Sequence, residues 1–82
     1  MIAKAIPEDS LRLLVSQNAV REARITKSEE KPGKWCLSVR LGGSVSRWHP
    51  VRSRREAVRT WSIEGAIKFA TDSGFLEVTV EL

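Results

Sequence analysis

The chain has 82 residues, of which 14 are Lys or Arg and 10 are Asp or Glu, giving a formal net charge of +4; 41% of the residues are apolar. These figures describe one small globular domain spanning residues 1–82, not a disordered tail or a two-core protein, and a domain this size gains from self-association. No apolar run is long enough to span a bilayer, MIAKAIPEDS lacks an export-type apolar stretch, and the single Cys36 cannot form an internal disulfide, so a cytoplasmic protein with no membrane partner is expected.

Pro7, Glu8, Asp9 and Ser10 carry helix-start signals: a first-turn proline, acids suited to the helix dipole and candidate N-caps. Leu11, Leu14 and Val15 follow at helical spacing and Asn18 is a natural stop, which predicts a helix over 8–18. Ala23 and Ile25 then alternate with Arg24 and Thr26 as a short strand, and SEEKPGK is a loop by its charges and Pro-Gly pair. Trp35, Leu37, Val39 and Leu41 alternate with Cys36, Ser38 and Arg40, the period of a half-buried strand.

Gly42-Gly43 suits a two-residue hairpin turn. That turn sets Leu41 opposite Ser44, Arg40 opposite Val45, Leu37 opposite Trp48 and Cys36 opposite His49. It puts Trp48 with Trp35 on the apolar face and Arg47 and His49 on the other. Pro50 ends or edges the strand, VRSRR is a connection, and EAVRTW is a short third strand or extended segment. Ser62 caps a second helix whose stripe is Ile63, Ala66, Ile67 and Ala70, with Phe69 at its flank and Gly74 at its end; Gly65 weakens it. In FLEVTVEL, Leu76, Val78, Val80 and Leu82 alternate with Glu77, Thr79 and Glu81, the clearest strand pattern in the chain. The expected fold is α+β, an antiparallel three- to four-stranded sheet with two helices on one face.

Catalysis has little material. Cys36 beside His49 would supply a thiolate and a base, but no third group orients them and no pocket is evident. His, Cys and carboxylates show no metal-ligand spacing, and LGGS lies between strands, unlike a phosphate-cradling loop. A non-enzyme without metal or cofactor is expected.

The concentrated feature is SRWHPVRSRREAVRTW. Between residues 47 and 59, Arg47, Arg52, Arg54, Arg55 and Arg59 stand against Glu56 alone, which accounts for the whole net charge of +4. Arginine's planar fork matches phosphate and carboxylate. Three readings stay open: a solvated face, a phosphate-binding surface, or a contact for an acidic protein, with Arg40 beside the cluster in each case. Trp35 and Trp48 read as core and Trp61 as half-buried before the second helix, which argues against base stacking. Glu77 and Glu81 could pair with arginines of a neighbouring strand and partly neutralise the patch.

SLRLLVSQNAVREARI, GKWCLSVRLGG and VRTWSIEGAIKFATDSGFLEVTVEL together resemble the small partition-associated, ParC-like proteins of plasmids and integrative elements. The pieces that carry the resemblance are LRLLV followed by AVREA, the W-x-L-x-V-R-L-G strand, and an aromatic-Ser helix start with A-x-x-F and a terminal F-x-x-V; RWHP falls outside it. The resemblance implies an accessory protein of plasmid or mobile-element partition, replication or maintenance, working near a ParA-type ATPase and a DNA-binding partner. The expected protein is non-enzymatic and, on size grounds, a homodimer. It contacts DNA, or alternatively the ATPase, through Arg40, Arg47, Arg52, Arg54, Arg55 and Arg59.

Overall fold

The computed structural model describes residues 4–42 and 47–82. In chain order the elements are β1 (Ile6–Pro7), α1 (Glu8–Ser16), β2 (Val20–Lys27), β3 (Trp35–Leu41), β4 (Trp48–Arg52), α2 (Ile63–Asp72) and β5 (Thr79–Val80). Helix α1 begins where extended Pro7 caps it without a side-chain hydrogen bond, and Glu8 and Asp9 fill the first turn against the dipole. It ends as expected near Asn18, whose φ of 56° is the left-handed conformation that Asn tolerates. At the start of α2 the Ser62 hydroxyl accepts from the Gly65 N–H at 3.1 Å. A Cβ on Gly65 would sit 3.1 Å from that hydroxyl and 3.5 Å from Trp61. Close approach explains a glycine that helix propensity disfavours.

The α+β class is as expected, but the sheet is five-stranded and mixed, in the order β1-β4-β3-β2-β5. Strands β2, β3 and β4 are mutually antiparallel, while β1 lies parallel to β4 and β5 parallel to β2. Each parallel neighbour comes from a helical crossover, the connection that parallel strands require. Alternate sheet residues Ala23, Ile25, Leu37, Val39 and Val51 join Leu11 of α1 and Ala66 of α2 in a single core cluster. Both helices therefore cover the same face of the sheet. Leu11, Ile25, Leu37, Val39 and Val51 are fully buried, each contributing roughly 1.5–3 kcal/mol of transfer free energy.

The β3–β4 register differs from the one expected. Arg40 pairs with Trp48, Val39 with His49 and Ser38 with Pro50. The expected pairs Leu37–Trp48 and Cys36–His49 are thus replaced by a slip of three positions, and the expected partner of Arg40, Val45, lies outside the described residues. The Gly42-Gly43 turn and the Leu41–Ser44 pair fall partly on residues 43–46, outside those described. An odd slip exchanges the faces of a strand. Trp48 leaves the core side and shares the open face with Arg40, whereas His49 turns to the helix side, opposite Val39.

Two other elements depart from the sequence pattern. EAVRTW makes no strand. It contributes a single antiparallel bridge, in which Trp61 and Trp35 exchange backbone hydrogen bonds of 2.8 and 2.9 Å. Trp61 is buried, with its ring 5.0 Å from that of Phe69. In FLEVTVEL only Thr79 and Val80 pair, against Arg24 and Ile25, and Leu76 is 100% exposed. Alternation made that segment competent for a strand, but it meets the eight-residue β2 at only two positions. No helix among the described residues is long and apolar enough to cross a membrane.

Candidate functional site

Strand β4 ends at Arg52 and runs into a tight turn closed by the Ser53 N–H donating to the Glu56 carbonyl at 3.1 Å. The Ser53 hydroxyl accepts from the N–H groups of Glu56 at 3.0 Å and Arg55 at 3.3 Å, leaving Arg54 and Arg55 at the exposed tip. Glu56 anchors the far side. Its carboxylate accepts from Lys31 Nζ at 2.5 Å and from the Thr60 hydroxyl at 3.0 Å. These two bonds, Lys31 first, hold the Glu56 carboxyl below its ordinary pKa. The turn is therefore tied to both the β2–β3 loop and the segment before α2.

Beside it, β1 passes into α1. Pro7, Glu8 and Asp9 form one wall of a cleft of about 460 Å³ whose other wall holds Arg52, Arg54, Arg55, Glu56 and Arg59. Arg59 is already committed: its guanidinium meets the Glu8 carboxylate at 2.5 Å and stacks 4.8 Å from the Trp61 ring. Glu56 is committed to Lys31. Among the described residues, the side chains of Arg52, Arg54 and Arg55 have no carboxylate partner, and Asp9 is the one uncommitted acid of the cleft. Three exposed guanidiniums on an anchored turn form a preorganised anion-binding surface.

The six arginines expected to act together divide into three groups. Arg52, Arg54, Arg55 and Arg59 share the cleft. Arg40 lies away from it on the open sheet face, 3.4 Å from Glu22 and 5.3 Å from the Trp48 ring. Arg47 is exposed immediately before β4 and takes part in an interaction of its own. Glu81 does neutralise an arginine of the adjacent strand, but the partner is Arg24, at 3.6 Å. Such half-exposed pairs contribute about 0–1 kcal/mol each.

Sequence reasoning missed Arg24 and the open-face position of Trp48. Arg24 was legible as the polar neighbour of Ile25, whereas the position of Trp48 depended on the register. The Arg24 guanidinium sits 4.1 Å from the Trp48 ring centroid. A β-bulge at Arg21 shifts the β2–β3 register between Val20 and Glu22, returning Val20 to the core side opposite Leu41, while Glu22 keeps the register of the rest of β2 and faces Arg40.

The expected Cys36–His49 pair is not formed. Cys36 lies on the open face opposite Thr26, while His49 lies on the helix side with Nδ1 2.9 Å from the Lys4 carbonyl. Burial raises the Cys36 thiol pKa, partly offset by a hydrogen bond with Ser28, a trend opposite to that of an activated nucleophile. Comparison with family models, curated proteins and solved structures finds no match for this chain.

Proposed function

We propose that the protein is a non-enzymatic, nucleic-acid-binding accessory of plasmid or mobile-element partition, replication or maintenance, holding DNA phosphates with Arg52, Arg54 and Arg55. The mobile-element setting rests on the sequence resemblance. The binding reading rests on one observation: these three exposed guanidiniums gather on an anchored turn without carboxylate partners among the described residues. Arg59 supports the cleft wall through Glu8, and Arg40 and Arg47 extend the basic surface towards the other end of β4.

A second reading rests on concavity. A cleft with three guanidinium forks also suits a carboxylate inserted by an acidic partner such as a ParA-type ATPase. Self-association belongs to either reading, since β5 is an edge strand next to fully exposed Leu76, and a second copy could extend the sheet there. A mass measurement in solution tests that part.

The deciding experiment titrates a labelled oligonucleotide at about 50 mM salt and upward, with the wild type and the triple variant Arg52→Ala, Arg54→Ala, Arg55→Ala. Three phosphate contacts on a duplex give a log–log salt slope of about −2.7, and the triple variant should flatten it. Absence of binding at the lowest salt would rule out the nucleic-acid reading and leave the acidic-partner one.

A further inference from the structure

The open face of the sheet carries a second feature that the cleft does not use. On it, Trp48 and Arg52 lie at the two ends of β4, about 13 Å apart along the strand, with Pro50 between them. Beside Trp48 stand Arg40 of β3 and Arg24 of β2, with guanidiniums 5.3 and 4.1 Å from the indole centroid. The Nε atoms of both arginines are buried without an acceptor among the described residues, and each head group reaches its carboxylate only at 3.4–3.6 Å. Both guanidiniums thus lie against the indole as cationic planes on the open face.

We propose that Trp48, flanked by Arg24 and Arg40, is a base-stacking platform, and that the nucleic acid bound by this protein is single-stranded. The inference builds on the phosphate-binding role of Arg52, Arg54 and Arg55. Indole and guanidinium planes both stack on bases, but only on bases not enclosed in a duplex. A strand with bases over Trp48 would run along β4, and its phosphates would reach Arg52 and then the Arg54–Arg55 tip. Charge favours this face. Helix α2 on the covered side carries Glu64 and Asp72 against Lys68, whereas the arginines of the proposed path stand on the open face and at the Arg52 end of β4.

The test compares an oligothymidine of about 15 nucleotides with a duplex of equal length. The oligothymidine should bind at least about tenfold more tightly and quench indole emission, while the duplex should leave emission unchanged. Trp48→Leu should weaken oligothymidine binding roughly tenfold to a hundredfold, the worth of one stacked base, and leave duplex binding unaltered. Trp48→Phe, which keeps a stacking ring, should retain most of the affinity and abolish the quench, since Trp35 and Trp61 remain.

Thermal melting verifies that each variant is folded; should Trp48→Leu fail to fold, the wild-type quench and its loss in Trp48→Phe decide the matter. Equal or tighter duplex binding would overturn the platform and leave the arginine reading standing, as would a folded Trp48→Leu with undiminished oligothymidine affinity. Binding of neither nucleic acid would overturn both.

Discussion

The two faces of one sheet divide the labour of this protein. On the helix side Ala23, Ile25, Leu37, Val39 and Val51 are buried with Leu11 and Ala66 in an apolar cluster. On the other side the intervening residues of the same strands, among them Arg24, Ser38, Arg40 and Trp48, are half-buried at most and carry the polar chemistry. Strand periodicity alone separates them. A face that packs against helices fixes the fold, and its neighbour one residue away stays uncovered.

That contrast is open to attack by substitution. The largest effect is expected on the covered face. Leu37→Ala should cost about 3 kcal/mol of unfolding free energy in a denaturant titration, whereas Ser38→Ala, next along the strand but on the open face, should stay within about 0.5 kcal/mol. Comparable losses from both would mean that the second face is also structural.

Next in size is the cap of α2. Removing the hydroxyl with Ser62→Ala should cost about 1 kcal/mol. Gly65→Ala should fail to yield the stabilisation that alanine ordinarily brings to a helix, because its Cβ would crowd that same hydroxyl at 3.1 Å. Thermal melting of both variants checks the pair, and a clear gain from Gly65→Ala would show that the N-terminal turn has room to relax.

The smallest effect is acid sensitivity of the Ser53–Glu56 turn. The Glu56 pKa is lowered in the folded protein from a reference of 4.5, so its contribution is present above that value and is lost as pH falls through the folded pKa. Glu56→Gln should therefore differ from the wild type in stability near neutral pH and converge with it in acid. A difference that persisted unchanged into acid would place the role of Glu56 elsewhere than in its charge on Lys31 and Thr60.

Local signals made part of this structure legible in the sequence. Asn18, Ser62 and Gly74 mark the helix ends because each acts through its own backbone or cap, and the Trp35–Leu41 alternation matches a half-buried strand. What escaped was set between elements. The two-residue β1 exists because β4 lies beside it, and β5 is limited to the two residues that meet β2.

The placement of Trp48 followed from an assumed two-residue turn, and the observed three-position slip carries it to the opposite face. The arginine cluster was visible as composition. Its partition was not, because Arg59 finds Glu8 across 51 residues of chain and Arg40 meets Glu22 only through the pairing of β2 with β3. The residues left without carboxylate partners, Arg52, Arg54 and Arg55, emerged only from that accounting.

Amide and indole NMR signals followed during addition of an oligothymidine test the division of faces most directly. The account expects shifts at the backbone of Arg24, Arg40 and residues 52–56 and at the indole of Trp48, with the core positions Leu11 and Ala66 and the Trp61 indole unmoved. Shifts centred on α1 and α2, with Trp48 and the Ser53–Glu56 turn silent, would contradict it.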